Sequence, residues 1–173
     1  MLVTLDDLRK KFGFSFPESQ NDAYLDLLST AEEACLSYAS IEQGTVEEYF
    51  KGGERIYVLT HSPVLSVESV KAGERDVAFR YEKRAETVVL ESASSEDAEV
   101  IIKYTCGWEE GKVPSSLRTA IAFTVQHLSK LNSAKLLGIT SRSTEGGTES
   151  IEQSVPPLAV QKLLEPFRRN KVL

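Results

Sequence analysis

An α+β fold is the class this sequence predicts, and the spacing of its apolar residues carries the prediction. They recur at three- and four-residue steps before about residue 40, alternate at steps of two from Gly44 to Cys106, and return to helical spacing after Pro114. One switch of period and back implies a small bundle of three to four helices, with an antiparallel β-hairpin or sheet layer inserted between the second and third helices. Connections inside the alternating region are shorter than the dozen or so residues a parallel crossover needs (about 12), so its strands pair antiparallel. At 173 residues and 19.2 kDa, a single domain with a core that needs no staples is the expectation.

The first helix opens on Thr4 with Asp7, a capping box with Asp where Glu is usual, ahead of Leu5, Leu8 and Phe12; Gly13 ends it. Pro17 to Asn21 reads as a loop, and Asn21 or Asp22 supplies the next N-cap. Tyr24, Leu27, Leu28, Ala31, Ala34, Cys35 and Tyr38 then form one apolar stripe, with Asp22, Asp26, Ser29 and Glu33 facing away. From Gly44 the strands expected are Val46 to Phe50, Arg55 to Leu59, Val64 to Val70, Asp76 to Tyr81, Thr87 to Glu91 and Ala98 to Cys106. In the last of these, Val100, Ile102, Tyr104 and Cys106 alternate with Glu99, Ile101, Lys103 and Thr105, which predicts one buried face. Ala72-Gly73 marks a tight hairpin and Ser92 to Asp97 a longer one.

Pro114, followed by Ser115 and Ser116, opens a long helix: proline's missing N–H loses no intrahelical bond there, and a serine hydroxyl can cap a neighbouring donor. Leu117, Ala120, Ile121, Thr124, Val125, Leu128 and Leu131 form its stripe, while Phe123 and His127 lie on a second face. Pro156-Pro157 opens a final helix, to about Arg168, that buries Val160, Leu163, Leu164 and Phe167. Ser133 to Val155 lies between them and contains GITSRSTEGGTES, with a short strand expected at SIEQSV. Structureless segments beyond about 15 residues are uncommon in compact domains and tend to be functional or disordered. The organisation expected is therefore N-terminal helices at 1–40, a β region at 44–106, a long helix at 114–132, a flexible linker at 133–155 and a C-terminal helix at 156–169.

Composition narrows the function. Hydrophobic and charged contents of 41% and 27% are those of a soluble globular chain, and no apolar run approaches the ~20 residues of a membrane span. MLVTLDDLRKKF lacks a cationic start followed by an apolar core, so no signal peptide is expected, and two cysteines far apart, Cys35 and Cys106, read as reduced core residues of a cytosolic protein. The net charge of −6 divides into −7 over residues 1–50, −4 over 51–110 and +5 over 111–173. Such a chain lacks the concentrated basic face of a duplex reader but permits head-to-tail self-association, acidic surface to basic surface.

Catalytic, cofactor and metal signatures are missing. His61 and His127 have no ligating partner at helical spacing, and no G-x-S-x-G, Walker A or G-x-G-x-x-G occurs. Glu109 and Glu110 are adjacent on a turn, so their carboxyls point apart. Trp108 reads as a packing anchor. The expectation is a non-enzyme with no catalytic residue, no cofactor and no metal.

Taken together, VTLDDLRKKFGF, DAYLDLLSTAEEACLSYAS, YVLTHSPVLSVESVKAGE, VIIKYTCGWEEGKVPSSLRTAIAFTVQHL and SIEQSVPPLAVQKLLEPFRR resemble, in that order, segments of the head–tail connector (adaptor) proteins of tailed bacteriophages and prophages. Two stretches are longer than the family's pattern, Ile41 to Arg55 and Ser133 to Ser150. The resemblance implies a virion assembly protein, made in the host cytoplasm and placed at the head–tail interface. Its partners would be the portal protein, a stopper or tail protein, and itself, in a closed ring of about a dozen copies that extends the DNA channel. DNA would pass through without specific binding, and no membrane is involved. Phe123, His127, Ile151, Arg168 and Arg169 are the candidate contacts with a neighbouring copy or the portal. The alternative reading is a small intracellular module that binds a peptide or protein without catalysis.

Overall fold

The computed structural model describes residues 1–109, 111–144 and 147–168. It divides into two compact units, a helical one from Met1–Ser40 and Glu110–Leu173, and a β unit from Ile41–Glu109. The class is α+β, with the sheets inserted between the second and third helices.

The helical unit begins with α1 (Leu5–Phe12), and its capping box is complete: the Asp7 N–H donates to the Thr4 hydroxyl at 3.1 Å and the Thr4 N–H donates to Asp7 at 3.2 Å. Gly13 closes it at φ 71°, a left-handed conformation that suits glycine. An ion pair with Lys11, foremost, and the bonds from Thr4 hold the Asp7 carboxyl below its ordinary range, against a smaller opposing effect of burial. A depressed folded value means that this stabilisation is complete above the unfolded carboxylate value of about 4 and is lost as pH falls through the folded one. Asp7→Asn should therefore cost less than about 1 kcal/mol at neutral pH and nothing once Asp7 is protonated. Urea melts of both proteins at neutral and strongly acidic pH check this.

Helix α2 (Asn21–Ala39) follows a 3-10 turn at Glu18–Gln20. Asn21 is not its cap; the Asn21 side chain accepts from Arg9 at 2.5 Å, and no side chain caps this end. The guanidinium of Arg9 also lies over Phe16, which stacks on Tyr24 at 3.8 Å. Helix α3 (Ser115–Ser133) has Pro114 as N-cap, and neither Ser115 nor Ser116 bonds back to it. It runs opposite to α2: Tyr24, near the start of α2, meets Ser129 at 3.3 Å, while Cys35, near its end, meets Thr124 at 3.4 Å. Helix α4 (Leu158–Leu164) is shorter than the sequence predicts, because the chain tightens into a 3-10 turn at Glu165–Phe167, where Pro166 removes a donor. Leu8, Leu28, Ala31, Cys35, Leu117, Ile121, Val125, Val160 and Leu164 make the centre of this unit's core.

The β unit contains β1 (Gly44–Lys51), β2 (Ile56–Val58), β3 (Val64–Ala72), β4 (Arg75–Asp76), β5 (Phe79–Glu82), β6 (Thr87–Leu90) and β7 (Glu99–Cys106). They form one sheet in the order β1-β7-β3-β4 and another in the order β2-β6-β5, all pairs antiparallel. The single strand expected over Asp76 to Tyr81 is thus two strands in two sheets, broken at Val77 and Ala78. Val100, Ile102, Tyr104 and Cys106 are all buried, as their alternation requires, and pack with Tyr57, Leu59, Val70, Val88 and Leu90. Gly52 has no room for a side chain, since a Cβ there would lie 2.1 Å from the Ser95 carbonyl oxygen and 2.3 Å from that of Ala98.

Ser133 to Val155 contains a two-stranded hairpin, β8 (Ser141–Thr144) and β9 (Gly147–Ser150). The strand expected at SIEQSV is absent: Ile151 to Ser154 are irregular, because Gln153 turns back to donate to the carbonyls of Leu136 (3.1 Å) and Ile139 (2.7 Å) and to accept from the Gly138 N–H (3.0 Å).

Candidate functional site

Four of the five candidate contact residues lie in the described part of the helical unit; Arg169 lies outside the described residues. Phe123 is 49% exposed in the middle of α3. His127 is one turn further on, half-buried, and its Nε2 is buried without a hydrogen-bond partner. Glu152 interacts electrostatically with His127 and accepts the Leu158 N–H at 2.5 Å. It also accepts from the Ser154 hydroxyl at 2.6 Å, and these two bonds hold its carboxyl below the ordinary range. Phe123 and His127 share one face of α3 a turn apart, while half-buried Ile151 and Glu152 precede α4, at whose start Leu158 is 62% exposed. Arg168 does not join them; its guanidinium stacks on Tyr38 of α2 at 5.0 Å. Sequence reasoning missed Glu152 and Leu158, and the one available signal was an acid six residues ahead of a proline-opened helix.

The β unit carries 8 basic and 14 acidic side chains, a net charge of −6, whereas the helical unit carries 12 of each. The chain's whole charge excess therefore resides in the β unit. At the end of the first sheet, Tyr49, Phe50, Lys51, Glu96, Asp97 and Glu99 line an open groove in which Tyr49 is 60% exposed. Its carboxylates outnumber its one lysine.

The β unit also contains an acid–imidazole pair. Glu48 Oε1 lies 3.4 Å from His61 Nε2, and the same carboxylate accepts the Thr60 N–H at 3.1 and 3.2 Å. The His61 N–H donates to the Tyr104 hydroxyl at 3.2 Å, and burial, chiefly, pushes the Tyr104 phenol upward. These bonds tie the β2–β3 connection to β1 and β7 and arm no nucleophile. The two thiols are equally quiet: burial raises Cys35 and Cys106 each to about 11, so both stay protonated at neutral pH. Among the described residues no group of three or more His, Cys, Asp or Glu side chains could hold a metal ion, and no helix is long and apolar enough to cross a membrane.

No protein-family model and no curated protein matches the chain in sequence. Solved structures do match its fold. A chain in the neck of an empty GTA particle, computed with C6 symmetry, superposes with a TM-score of 0.65 at 16% identity, over 99% of this chain and 92% of that one. A chain in the neck of the native GTA particle, computed with C12 symmetry, gives 0.58 at 16% identity, over 98% and 91%. A chain of the virion of the native gene transfer agent (GTA) particle gives 0.61 at 18% identity, over 97% and 88%. The fold shared over nearly the full length is that of phage-like neck proteins, consistent with the connector resemblance in the sequence.

Proposed function

We propose that this protein is a structural component of the neck of a tailed phage or phage-like particle, a ring-forming adaptor that joins the portal to the stopper or tail and lengthens the DNA channel. The supporting observation is the end-to-end likeness to chains of GTA necks, which extends over both units of this chain. The geometry agrees: protonated thiols, a carboxylate–imidazole pair spent on backbone N–H groups, and exposed apolar side chains on α3 and α4 suit contact better than chemistry. The acidic β unit suits a channel as well, since a negative wall repels phosphates and does not trap sliding DNA.

The hairpin of β8 and β9 belongs to this reading. An isolated two-stranded ribbon is only marginally stable in water, and the side chains described on it are exposed. Its ordering, at roughly 1–2 kcal/mol of backbone entropy per residue, is best offset where another chain covers it. Deleting Thr140 to Glu149 should leave the melting temperature unchanged and weaken ring formation or portal docking. Melting curves, with electron microscopy of the protein mixed with purified portal, test both halves. Normal rings after the deletion would reduce the hairpin to a passive connection, and a deletion that fails to fold would place it in the core.

A further inference from the structure

The long edge of the first sheet is open. β1 stands at the end of the order β1-β7-β3-β4 and pairs with β7 in an unbroken register, from Gly44 opposite Cys106 to Lys51 opposite Glu99. Among the described residues, no backbone hydrogen bond outside that ladder reaches Gly44 to Lys51. Alternate N–H and C=O groups therefore face away from β7 along about 27 Å of extended chain. The other open edges of the β unit are shorter or irregular. β2 has three residues, β4 two and β5 four, and the register of β3 shifts between Val64 and Ser66 and again between Val67 and Ser69. β1 has neither the proline nor the bulge with which edge strands discourage pairing.

The helical unit holds a matching piece. Among the described residues β8 and β9 pair only with each other, so each keeps one open edge, and a ribbon of this kind gains stability from a third strand. Charge then separates the possible pairings. β1 carries Glu47 and Glu48 against Lys51. Two β1 edges in full antiparallel overlap would set Glu47 against Glu47 or Glu48 of the other copy, like charges directly opposite. β9 would bring Glu149, its one charged residue, to the same acids. β8 brings Arg142 among serines and a threonine, and the ribbon's register, with Glu149 opposite Arg142, then leaves the cation between acids on both sides.

Resting on the ring reading above, we infer that β8 of one copy adds to the β1 edge of the next, with Arg142 beside Glu47, and extends that copy's first sheet to the order β9-β8-β1-β7-β3-β4. Edge and ribbon are different surfaces, so the contact is heterologous, the kind that propagates head to tail and closes into a ring. Main-chain bonds supply its affinity, which is how a polar ribbon without an apolar face can hold a neighbour.

Hydrogen exchange of the free protein and of its rings, formed alone or on purified portal, tests the pairing. On assembly, amides within Gly44–Lys51 and within Ser141–Thr144 should slow together, by about tenfold or more, while those of β2 and β5 keep their free rates. A second measurement joins the two strands directly. Copies carrying Glu47→Cys are mixed with copies carrying Arg142→Cys, both exposed positions, and treated with a short bis-maleimide; Cys35 and Cys106 are buried. Linked pairs should form in rings of the mixture and be lost in rings of either variant alone. Rings in which β1 or β8 exchanges as in the free protein, or in which the mixture gives no linked pairs, would overturn this contact and leave the ring reading standing. A parent that forms no ring alone or on the portal would overturn both.

Discussion

Leu164→Asp should abolish the folded helical unit at room temperature. Leu164 is fully buried at the end of α4, which packs against α2 and α3. Truncating a buried leucine costs about 2–5 kcal/mol, and an unpaired buried carboxylate adds several more, against a typical total stability of about 5–15 kcal/mol. Leu128→Asp on α3 should act in the same way, since Leu128 is also buried. His127→Ala, one residue away, is the control: its Nε2 already lacks a partner, so the fold should survive. Thermal melts of the three variants decide the matter, and a normal melting temperature for Leu164→Asp would remove α4 from the core.

Gly52→Ala should strongly destabilise the β unit. The new Cβ would meet two backbone carbonyl oxygens at 2.1 and 2.3 Å, and backbone cannot swing aside as a side chain can. The turn after β1 or the Ser92 to Asp97 loop must move, at about 3 kcal/mol or more. Gly73→Ala offers the contrast. Its φ of +60° disfavours alanine, yet the space around it is open, so its cost should stay near 1 kcal/mol. Denaturant melts of the two variants should rank them in that order; equal costs would mean that the loop relaxes freely around position 52.

The elements legible in the sequence were those whose burial imposes a period. The stripe from Leu28 to Cys35 and the one from Leu117 to Leu131 each bury one face of a helix, and β7 buries every second residue, so their patterns reached the sequence undiluted. Where burial is not the organising force, the signal failed. The hairpin of β8 and β9 carries serine, threonine and charged residues on both strands and leaves no alternation to read. The break between β4 and β5 at Val77-Ala78 involves two residues that would fit a continuous strand. Pro114 and Pro157 were visible as helix openers, but they are the N-caps themselves and carry no capping side chain; the first N–H of α4 is taken instead by Glu152, six residues upstream. Of the candidate contacts, Phe123 was readable because an aromatic ring on the second face of an otherwise well-patterned helix is conspicuous. The Tyr49 groove was not, because it depends on the loop at Glu96 to Ala98 returning beside β1, some 45 residues later in the chain.

The most direct test of the central claim is a reconstruction by cryo-electron microscopy of the intact particle made with this protein, with the neck resolved well enough to trace side chains. The account predicts a closed ring of copies between the portal and the first tail component. A neck built entirely of other chains, with this protein absent from the purified particle, would contradict it.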